Sequence, residues 1–396
     1  MKKINIIYDF LSELGGLERV LFFMGNKLSK EYDTTLLFSF IDDDFKKEIL
    51  KTYGLTKNIK IIEIQNGGFK NQSWKLFLSL INPGKLLQHN ADLMISNSFL
   101  CSVMCYKNKI KKGIPYIVFL QHPPNFLYPP QNLKGWANSF PRKCAVLLKI
   151  LFGDYLKNKD KIAVRNADKI FVNSENIYKK AREIYGVESN IIYPPVSDSF
   201  KKIDDKDAKS FIKRFNIKNK FILTHGRIIP DKRVDFIIKA IKEIENLDLV
   251  ISGTIGEKLK ENLLSLANQN GLSERVKIIG KISEDELVGL YNLAEAFVIS
   301  APKEDFGLTP IEAMACGTPV IFWKDGGGPC ETVTEGVSGI SAKPYDIMDL
   351  SNKIRFALES NLKNKNRKEI IKSVSKFSEK EIGKKLLEEV QKLLPK

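Results

Sequence analysis

Short runs of β-branched and aromatic residues alternate with stretches of helical periodicity along most of the chain. Residues 4–8, 34–38, 60–64, 92–95, 116–120, 169–172 and 191–193 read as strands. Residues 17–28 read as a helix between the first two strands, and helix-like stretches separate most of the others. Such βα alternation predicts a parallel sheet covered by helices on both faces. The rhythm breaks at Tyr193-Pro194-Pro195-Val196, and a polar, lysine-rich stretch follows over 197–220. A second series then begins at 221–224 and continues through strands 248–252, 276–279, 296–299 and 319–322. Its first helix is well marked, with Val234, Ile237, Ile238 and Ile241 at i, i+3, i+4 and i+7. The pattern therefore predicts an α/β protein of two doubly wound, Rossmann-like domains, 1–197 and 198–375. Residues 376–396 add a helix whose apolar positions Ile382, Leu386, Leu387 and Val390 suit either domain; Ser378 and Glu381 fit a capping box at its start. Ligands of such sheets bind beyond the carboxyl ends of the strands, so two of them facing each other predict a central cleft.

Composition narrows the class. Of 396 residues, 43% are hydrophobic and 28% charged, ordinary values that exclude a disordered, collagenous or coiled-coil chain. Apolar runs such as 116–120 and 145–148 fall far short of the about 18 residues that span a bilayer. The first residues turn polar too soon for a signal peptide, so the expected location is the cytoplasm. The five cysteines, at 101, 105, 144, 316 and 330, are odd in number and scattered, which argues against a disulfide framework. The three histidines, 89, 122 and 225, do not stand at zinc-ligand spacing from Cys101 and Cys105, so no metal site is expected. The acidic run Asp42-Asp43-Asp44 reads as a solvated helix start rather than a metal motif.

Charge changes the picture more. The net charge is +16, and residues 51–150 hold 14 Lys/Arg against two acids, Glu63 and Asp92. Either this is a lysine-rich solvated face, or it meets an anionic partner. Residues 135–152 mix Trp136, Arg142, Lys143 and Lys149 with apolar positions, as interfacial helices do, although a core helix with flanking lysines reads the same way. A nucleic-acid partner is not expected, because no recognisable binding motif accompanies the charge.

Four loops after predicted strands carry candidate chemistry. The first, Ser12–Arg19, contains Gly15-Gly16 before a helix, which admits either an anion at the helix N-terminus or a tight turn. It is not a GxGxxG, which argues against a nicotinamide cofactor. The second, His225-Gly-Arg227-Ile-Ile-Pro-Asp-Lys232, sets two cations at the mouth of the second sheet, suited to a diphosphate. The third holds Glu304 and Glu312 in Glu-Asp-Phe-Gly-Leu-Thr-Pro-Ile-Glu. Thr309 then reads as an N-cap and Pro310 as the first helical residue, giving Glu312 a second reading as a capping-box partner; Glu304 has no such alternative. The fourth is Asp325-Gly-Gly-Gly-Pro-Cys-Glu331, either a ligand approach or a flexible turn.

Together these segments resemble the retaining family 4 glycosyltransferases, and most closely the mannosyltransferase-type members. EDFGLTPIE followed by AMACGTPV resembles that family's paired-carboxylate signature, HGRIIPDKR its phosphate loop, and ELGGLERV its N-terminal glycine loop. FVNSENIYKKAREIYG and IIYPPV resemble the stretch before its interdomain linker. The likeness runs from residue 4 to about 343; one departure is Arg233, where the family usually has glycine. It implies the GT-B fold, with the acceptor on the N-terminal domain and a nucleotide sugar on the C-terminal one. Carried over, Arg227 and Lys232 bind the donor diphosphate, assisted by the amides of Leu308 and Thr309 and by Gly16. Glu312 takes the ribose hydroxyls, and Glu304 and His122 are the catalytic residues at the transferred sugar. The resemblance further implies a metal-independent transfer with retention and no cofactor beyond the donor, GDP-mannose being the first expectation. UDP-glucose, UDP-galactose and UDP-N-acetylglucosamine are the alternatives. The expected acceptor is a polyprenyl-linked or other glycan, met by a peripheral enzyme on the inner, anionic face of the membrane. A UDP-sugar 2-epimerase or phosphorylase-like enzyme on the same fold is the competing reading.

Overall fold

The computed structural model describes residues 1–11, 15–41, 59–64, 89–128, 140–215, 217 and 219–394, with all of their side chains except those of Phe10, Phe40 and 140–151. Ser12 to Leu14 of the glycine loop, the run Asp42-Asp43-Asp44 and much of the basic 51–150 stretch lie outside the described residues.

The chain forms two compact units. The first comprises Met1–Pro195 with Lys380–Lys396, the second Val196–Glu379. The first unit is built on seven parallel strands: β1 (Lys3–Leu11), β2 (Asp33–Ile41), β3 (Lys60–Glu63), β4 (Leu93–Ser96), β5 (Tyr116–Leu120), β6 (Lys169–Val172) and β7 (Asn190–Ile191). Their order is β3-β2-β1-β4-β5-β6-β7, with Ile4 level with both Thr34 and Leu93. The chain therefore winds outward from β1 in one direction and then from β4 in the other, a doubly wound sheet with its switch point between β1 and β4. Strand alternation gives the sheet two apolar faces. Ile4, Ile6, Leu93, Ile95, Ile117, Phe119 and Phe171 form one, packed under helix α1 (Gly16–Leu28). Ile7, Met94, Val118, Leu120, Ile170 and Val172 form the other, with Cys101, Met104 and Cys105 of α2 (Phe99–Lys112) and Ile177 and Ala181 of α4 (Glu175–Tyr185). Helix α3 (Phe140–Arg165) spans the 140–152 part of the predicted interfacial segment.

The second unit repeats the plan with β8 (Lys220–His225), β9 (Leu247–Ser252), β10 (Val276–Gly280), β11 (Ala296–Val298), β12 (Val320–Trp323) and β13 (Gly339–Ala342). All are parallel, in the order β10-β9-β8-β11-β12-β13, so the switch point lies between β8 and β11. After α5 (Asp205–Ile212), its helices include α6 (Val234–Ala240), α7 (Glu257–Gln269), α8 (Glu284–Leu293), α9 (Leu308–Ala315), α10 (Pro329–Thr332), α11 (Ile347–Glu359) and α12 (Leu362–Ser373). The predicted stripe Val234, Ile237, Ile238 and Ile241 is buried in one core with Ile222, Leu249, Ile251, Val298 and Trp323. Two parallel-sheet α/β units of this kind are the fold predicted from the sequence.

One strand was not foreseen, and one local expectation is corrected. Strand β13 follows no apolar run: Gly-Ile-Ser-Ala pairs along β12 because Gly339 has no side chain; a Cβ there would stand 2.1 Å from Val320 O. The predicted N-cap Thr309 lies instead inside the first turn of α9, whose N-cap is Gly307 at φ 82° without a side-chain cap. The last helix, α13 (Glu379–Gln391), buries Ile382, Leu386 and Val390 in the core of the first unit, against the face that carries Ile4 and Ile6.

Candidate active site

The carboxyl end of the second sheet gathers most of the candidate residues. At the end of β8 the chain turns through Gly226, whose N–H donates to Ser252 O at 3.2 Å, and Ile228 N–H donates to Thr254 O at 2.8 Å. Gly253 is glycine for a steric reason: at φ 113° a Cβ would sit 1.9 Å from Gly226 O. These contacts fix the start of the loop that exposes Arg227. The loop closes in a 3-10 turn, Pro230–Lys232, and Arg233 takes the left-handed conformation at φ 50°. A Cβ is disfavoured in that conformation, which fits the glycine that the resemblance leads one to expect at this place. Here Arg233 is held by its carboxylate neighbour Asp235, at 3.2 Å, and by the Phe236 ring, 4.2 Å below the guanidinium.

Ser300, two residues beyond β11, locks this turn to the neighbouring loop. Its hydroxyl donates to Lys232 O at 2.8 Å and lies 2.9 Å from Arg233 O, while Trp323 Nε1 donates to Ser300 O at 2.9 Å. The result is the contact that defines the site: Lys232 Nζ and Glu304 Oε2 form an ion pair, both half-buried. A cation and an anion some seventy residues apart in sequence are thus one element of the switch point.

The glycine triplet has a different duty from the ligand approach considered above. Glu304 N–H donates to Gly326 O at 2.9 Å and Gly328 N–H to Glu304 O at 2.8 Å. A Cβ on Gly327 would stand 2.1 Å from Glu304 O, and one on Gly328 1.8 Å from Phe306 O. The glycines let backbone pack on the backbone that carries Glu304.

Glu312 is 3% exposed and accepts a hydrogen bond from Tyr291 Oη at 3.2 Å. It does not cap α9. Tyr291 in turn meets His225 edge-on at 6.4 Å, and His225 Nδ1 lies 2.8 Å from Ser252 Oγ. Burial, then the Glu312 carboxylate, push the Cys316 thiol well above its ordinary range. Leu308 and Thr309 open α9, so their N–H groups precede the helical ladder and face the helix's positive end. Beside the loop that bears Arg227, at the carboxyl ends of β9 and β10, a hollow of about 340 Å³ is lined by Gly253, Thr254, Ile255, Ile278 and Lys281 among others.

Of the sequence-predicted residues, Arg227, Lys232, Glu304, Leu308, Thr309 and Glu312 belong to this second unit. His122 and Gly16 belong to the first. His122 follows β5 by two residues, half-buried, with Nδ1 3.1 Å from Pro123 O. Gly16 is the first residue of α1; Gly15 before it donates its N–H to Glu18 Oε2 at 2.9 Å, and Glu18 Oε1 accepts from Tyr8 Oη at 2.8 Å. Sequence reasoning gave no role to Ser300 or Tyr291. Neither falls in a recognisable motif, and both act through contacts made only when β11 and α8 are in place. Among the described residues no group of three or more His, Cys, Asp or Glu side chains is placed to hold a metal ion. Cys101 instead donates its Sγ–H to Asp9 Oδ1 at 2.8 Å.

Comparison with known proteins gives this geometry a context. Residues 205–377 match the family described as Glycosyl transferases group 1. The D-inositol 3-phosphate glycosyltransferase of Mycolicibacterium smegmatis is 29% identical over 202 residues, which cover 50% of this chain and 46% of that protein. Mannosylfructose-phosphate synthase of Agrobacterium fabrum is 28% identical over 248 residues, covering 57% of this chain and 53% of that one. The chain thus spans about half the length of the curated relatives it matches. Among solved structures, Anabaena HepE in complex with UDP-glucose superposes with a TM-score of 0.76 at 20% identity, covering 99% of this chain and 100% of that one.

Proposed function

We propose that this protein is a retaining hexosyltransferase of the GT-B type, moving a sugar from a nucleoside-diphosphate donor to a hydroxyl of a glycan or polyprenyl-linked acceptor. The observation that carries the proposal is the Lys232–Glu304 ion pair at the β8/β11 switch point, inside the segment that matches the group 1 glycosyl transferases. Breaking a sugar–phosphate bond leaves negative charge on the diphosphate and positive character on the anomeric carbon. Arg227, Lys232 and the Leu308 and Thr309 amides are assigned the first; the Glu304 carboxylate is assigned the sugar. Glu312, held by Tyr291, is assigned the ribose hydroxyls, and the hollow beside Ile255 and Ile278 the base. His122 and Gly16 keep the roles that the resemblance gives them, at the sugar and the diphosphate. In this scheme the departing proton of the acceptor goes to the leaving phosphate, on the same face of the sugar. Protein cations and amide dipoles meet the leaving charge, so transfer is expected to persist in EDTA.

The donor reading is GDP-mannose, supported by the likeness of the EDFGLTPIEAMACGTPVI stretch to mannosyltransferase-type sequences and by the name of the Agrobacterium relative. A second reading, UDP-glucose, is favoured by the ligand in the Anabaena structure. A thermal-shift series with GDP, UDP and their sugars separates them, since a ligand of the folded state raises Tm. The proposal expects one nucleoside diphosphate to raise Tm and Arg227→Ala to abolish the rise; no response to any of them rejects it. Conversion of a UDP-sugar without acceptor would identify an epimerase instead.

Membrane association at the inner face is the proposed setting. Its support is the basic 51–150 stretch together with helix α3, which exposes Phe152 and Tyr155 and sets Lys159 Nζ 5.3 Å from the Tyr155 ring centroid. Among the described residues no helix is long and apolar enough to cross a membrane. Sedimentation with anionic vesicles at low salt, lost at high salt, is the expected result; no binding at low salt removes this part.

A further inference from the structure

The mouth of the first sheet carries polar groups that the fold does not use. Alternation along β1, β4, β5 and β6 places Ile4, Ile6 and Tyr8, then Leu93 and Ile95, then Ile117 and Phe119, then Phe171, on one face. The same alternation, continued past the strand ends, brings Asn97, Gln121 and Asn173 to the carboxyl edge of that face. The ladder itself continues this far, because Asn97 N–H donates to Ile7 O at 3.1 Å. All three side chains are more than nine-tenths buried, at 7%, 4% and 4% exposure.

Several polar groups around them are satisfied. Tyr8 and Gly15 both donate to Glu18, Asn173 Nδ2 donates to Gln121 O at 3.0 Å, and Ser174 Oγ donates to Asn173 Oδ1 at 3.1 Å. Asn97 differs: neither its Nδ2 nor its Oδ1 has a hydrogen-bond partner among the described residues, and neither does Gln121 Nε2. Native folds rarely bury such atoms unpaired, and where they do a cause is called for. The position supplies one. Asn97 stands at the β1/β4 switch point, and Gln121 is next to His122 on the adjacent strand. A doubly wound sheet takes its ligand at that edge.

We propose that Asn97 and Gln121 are specificity-determining residues that bind hydroxyl groups of a neutral, sugar-like acceptor on the first unit. Both side chains are uncharged. A carboxamide offers two N–H donors and a carbonyl acceptor, and a sugar hydroxyl both accepts and donates, so vicinal hydroxyls match the free atoms. A site built to bond hydroxyls rejects analogues that lack them, because its own buried atoms then stay unpaired. The word acceptor rests on the transferase reading above; the binding of hydroxyls does not.

This assignment makes the two residues a cost to the free protein and a gain to the complex, which a merely structural role would reverse. The test uses the full chain and three probes, methyl α-mannoside, methyl β-glucoside and myo-inositol, each at high millimolar concentration. Saturation-transfer NMR reads binding, and thermal melting reads the free protein. Asn97→Leu and Gln121→Met are expected to raise Tm of the free protein by about 2–4 °C each. Both are expected to abolish the transfer signal of at least one probe that the wild type binds. The rise in Tm given by GDP or UDP should persist in both variants. A fall or no change in Tm overturns the proposal, as does a probe signal that survives both substitutions or is missing from the wild type. A nucleoside diphosphate without effect on the wild type rejects the donor assignment instead, and leaves the carboxamide result to be read by itself.

Discussion

The two sheets share one strand order about their switch points, β3-β2-β1-β4-β5-β6 and β10-β9-β8-β11-β12-β13, but their carboxyl ends are finished in opposite ways. In the second unit polar groups at the mouth answer one another: Lys232 pairs with Glu304, and Tyr291 donates to Glu312. In the first unit Asn97 and Gln121 are neutral and leave atoms unpaired. Two acids away from the mouths follow a parallel contrast, one buried and one only partly covered. Burial pushes Asp160 of α3 up to about 6, although Tyr185 Oη donates to it at 2.8 Å. The Arg214 guanidinium holds Glu286 of α8 down to about 2. One topology therefore supports two electrostatic designs. A cationic mouth with its own counter-ion suits a charged ligand that displaces that counter-ion, while uncharged carboxamides suit hydroxyls.

The contrast breaks first at Glu304. Glu304→Ala is expected to lower transfer about 1,000-fold, roughly 4 kcal/mol, while the protein keeps its circular dichroism spectrum and its response to a nucleoside diphosphate. Full activity would remove Glu304 from the chemistry. The next effect is structural: Gly328→Ala must push a methyl group against Phe306 O, and a loss on the order of 3 kcal/mol in denaturant unfolding is expected. A stability within experimental error of the wild type would show that the backbone contact under Glu304 gives way easily.

Asp160→Asn sharpens the electrostatic side. A buried acid titrating near 6, against about 4 when unfolded, takes its proton in the folded state first. Stability then rises as pH falls from about 6 to 4, and the folded protein carries a penalty of roughly 2–3 kcal/mol at pH 7. Asparagine can still accept from Tyr185, so the variant is expected to be more stable at pH 7 and to lose the rise below pH 6. A variant less stable than wild type at pH 7 would contradict this. The Arg214–Glu286 pair acts oppositely: its contribution is present above about pH 4.5 and is lost as pH falls toward 2.

The smallest effect is expected at the other glycine loop. A Cβ on Gly15 would meet only Glu18 Oε2, at 3.1 Å, and the residue has φ −130°, open to any side chain. Gly15→Ala should therefore cost below about 1 kcal/mol in stability, since alanine is only a poorer N-cap. A cost comparable with that of Gly328→Ala would mean that the two loops are equally tight.

Much of this was legible in the chain itself. Apolar runs of four to six residues fixed most strand positions, because a parallel strand buried on both faces must be continuously apolar, and Val234, Ile237, Ile238 and Ile241 fixed the stripe of α6. Strand β13 was not legible, since Gly-Ile-Ser-Ala has neither run nor alternation and is a strand only because β12 offers it an edge. The charged candidates Arg227, Lys232 and Glu304 stood out by type and by loop position.

What only the tertiary structure decided is which of these groups meet. Lys232 and Glu304 become a pair because Ser300 ties two loops together and because Gly326 to Gly328 let backbone approach backbone. Glu312 is a partner of Tyr291 rather than a cap for the same reason: the helix that bears Tyr291 packs there. Asn97 and Gln121 look like any carboxamides in sequence, and their unpaired burial exists only once four strands stand side by side. Local chemistry chose the elements, since periodicity and side-chain volume act between neighbours along the chain. Hydrogen-bond satisfaction depends on residues far apart in sequence, so it was settled by the fold.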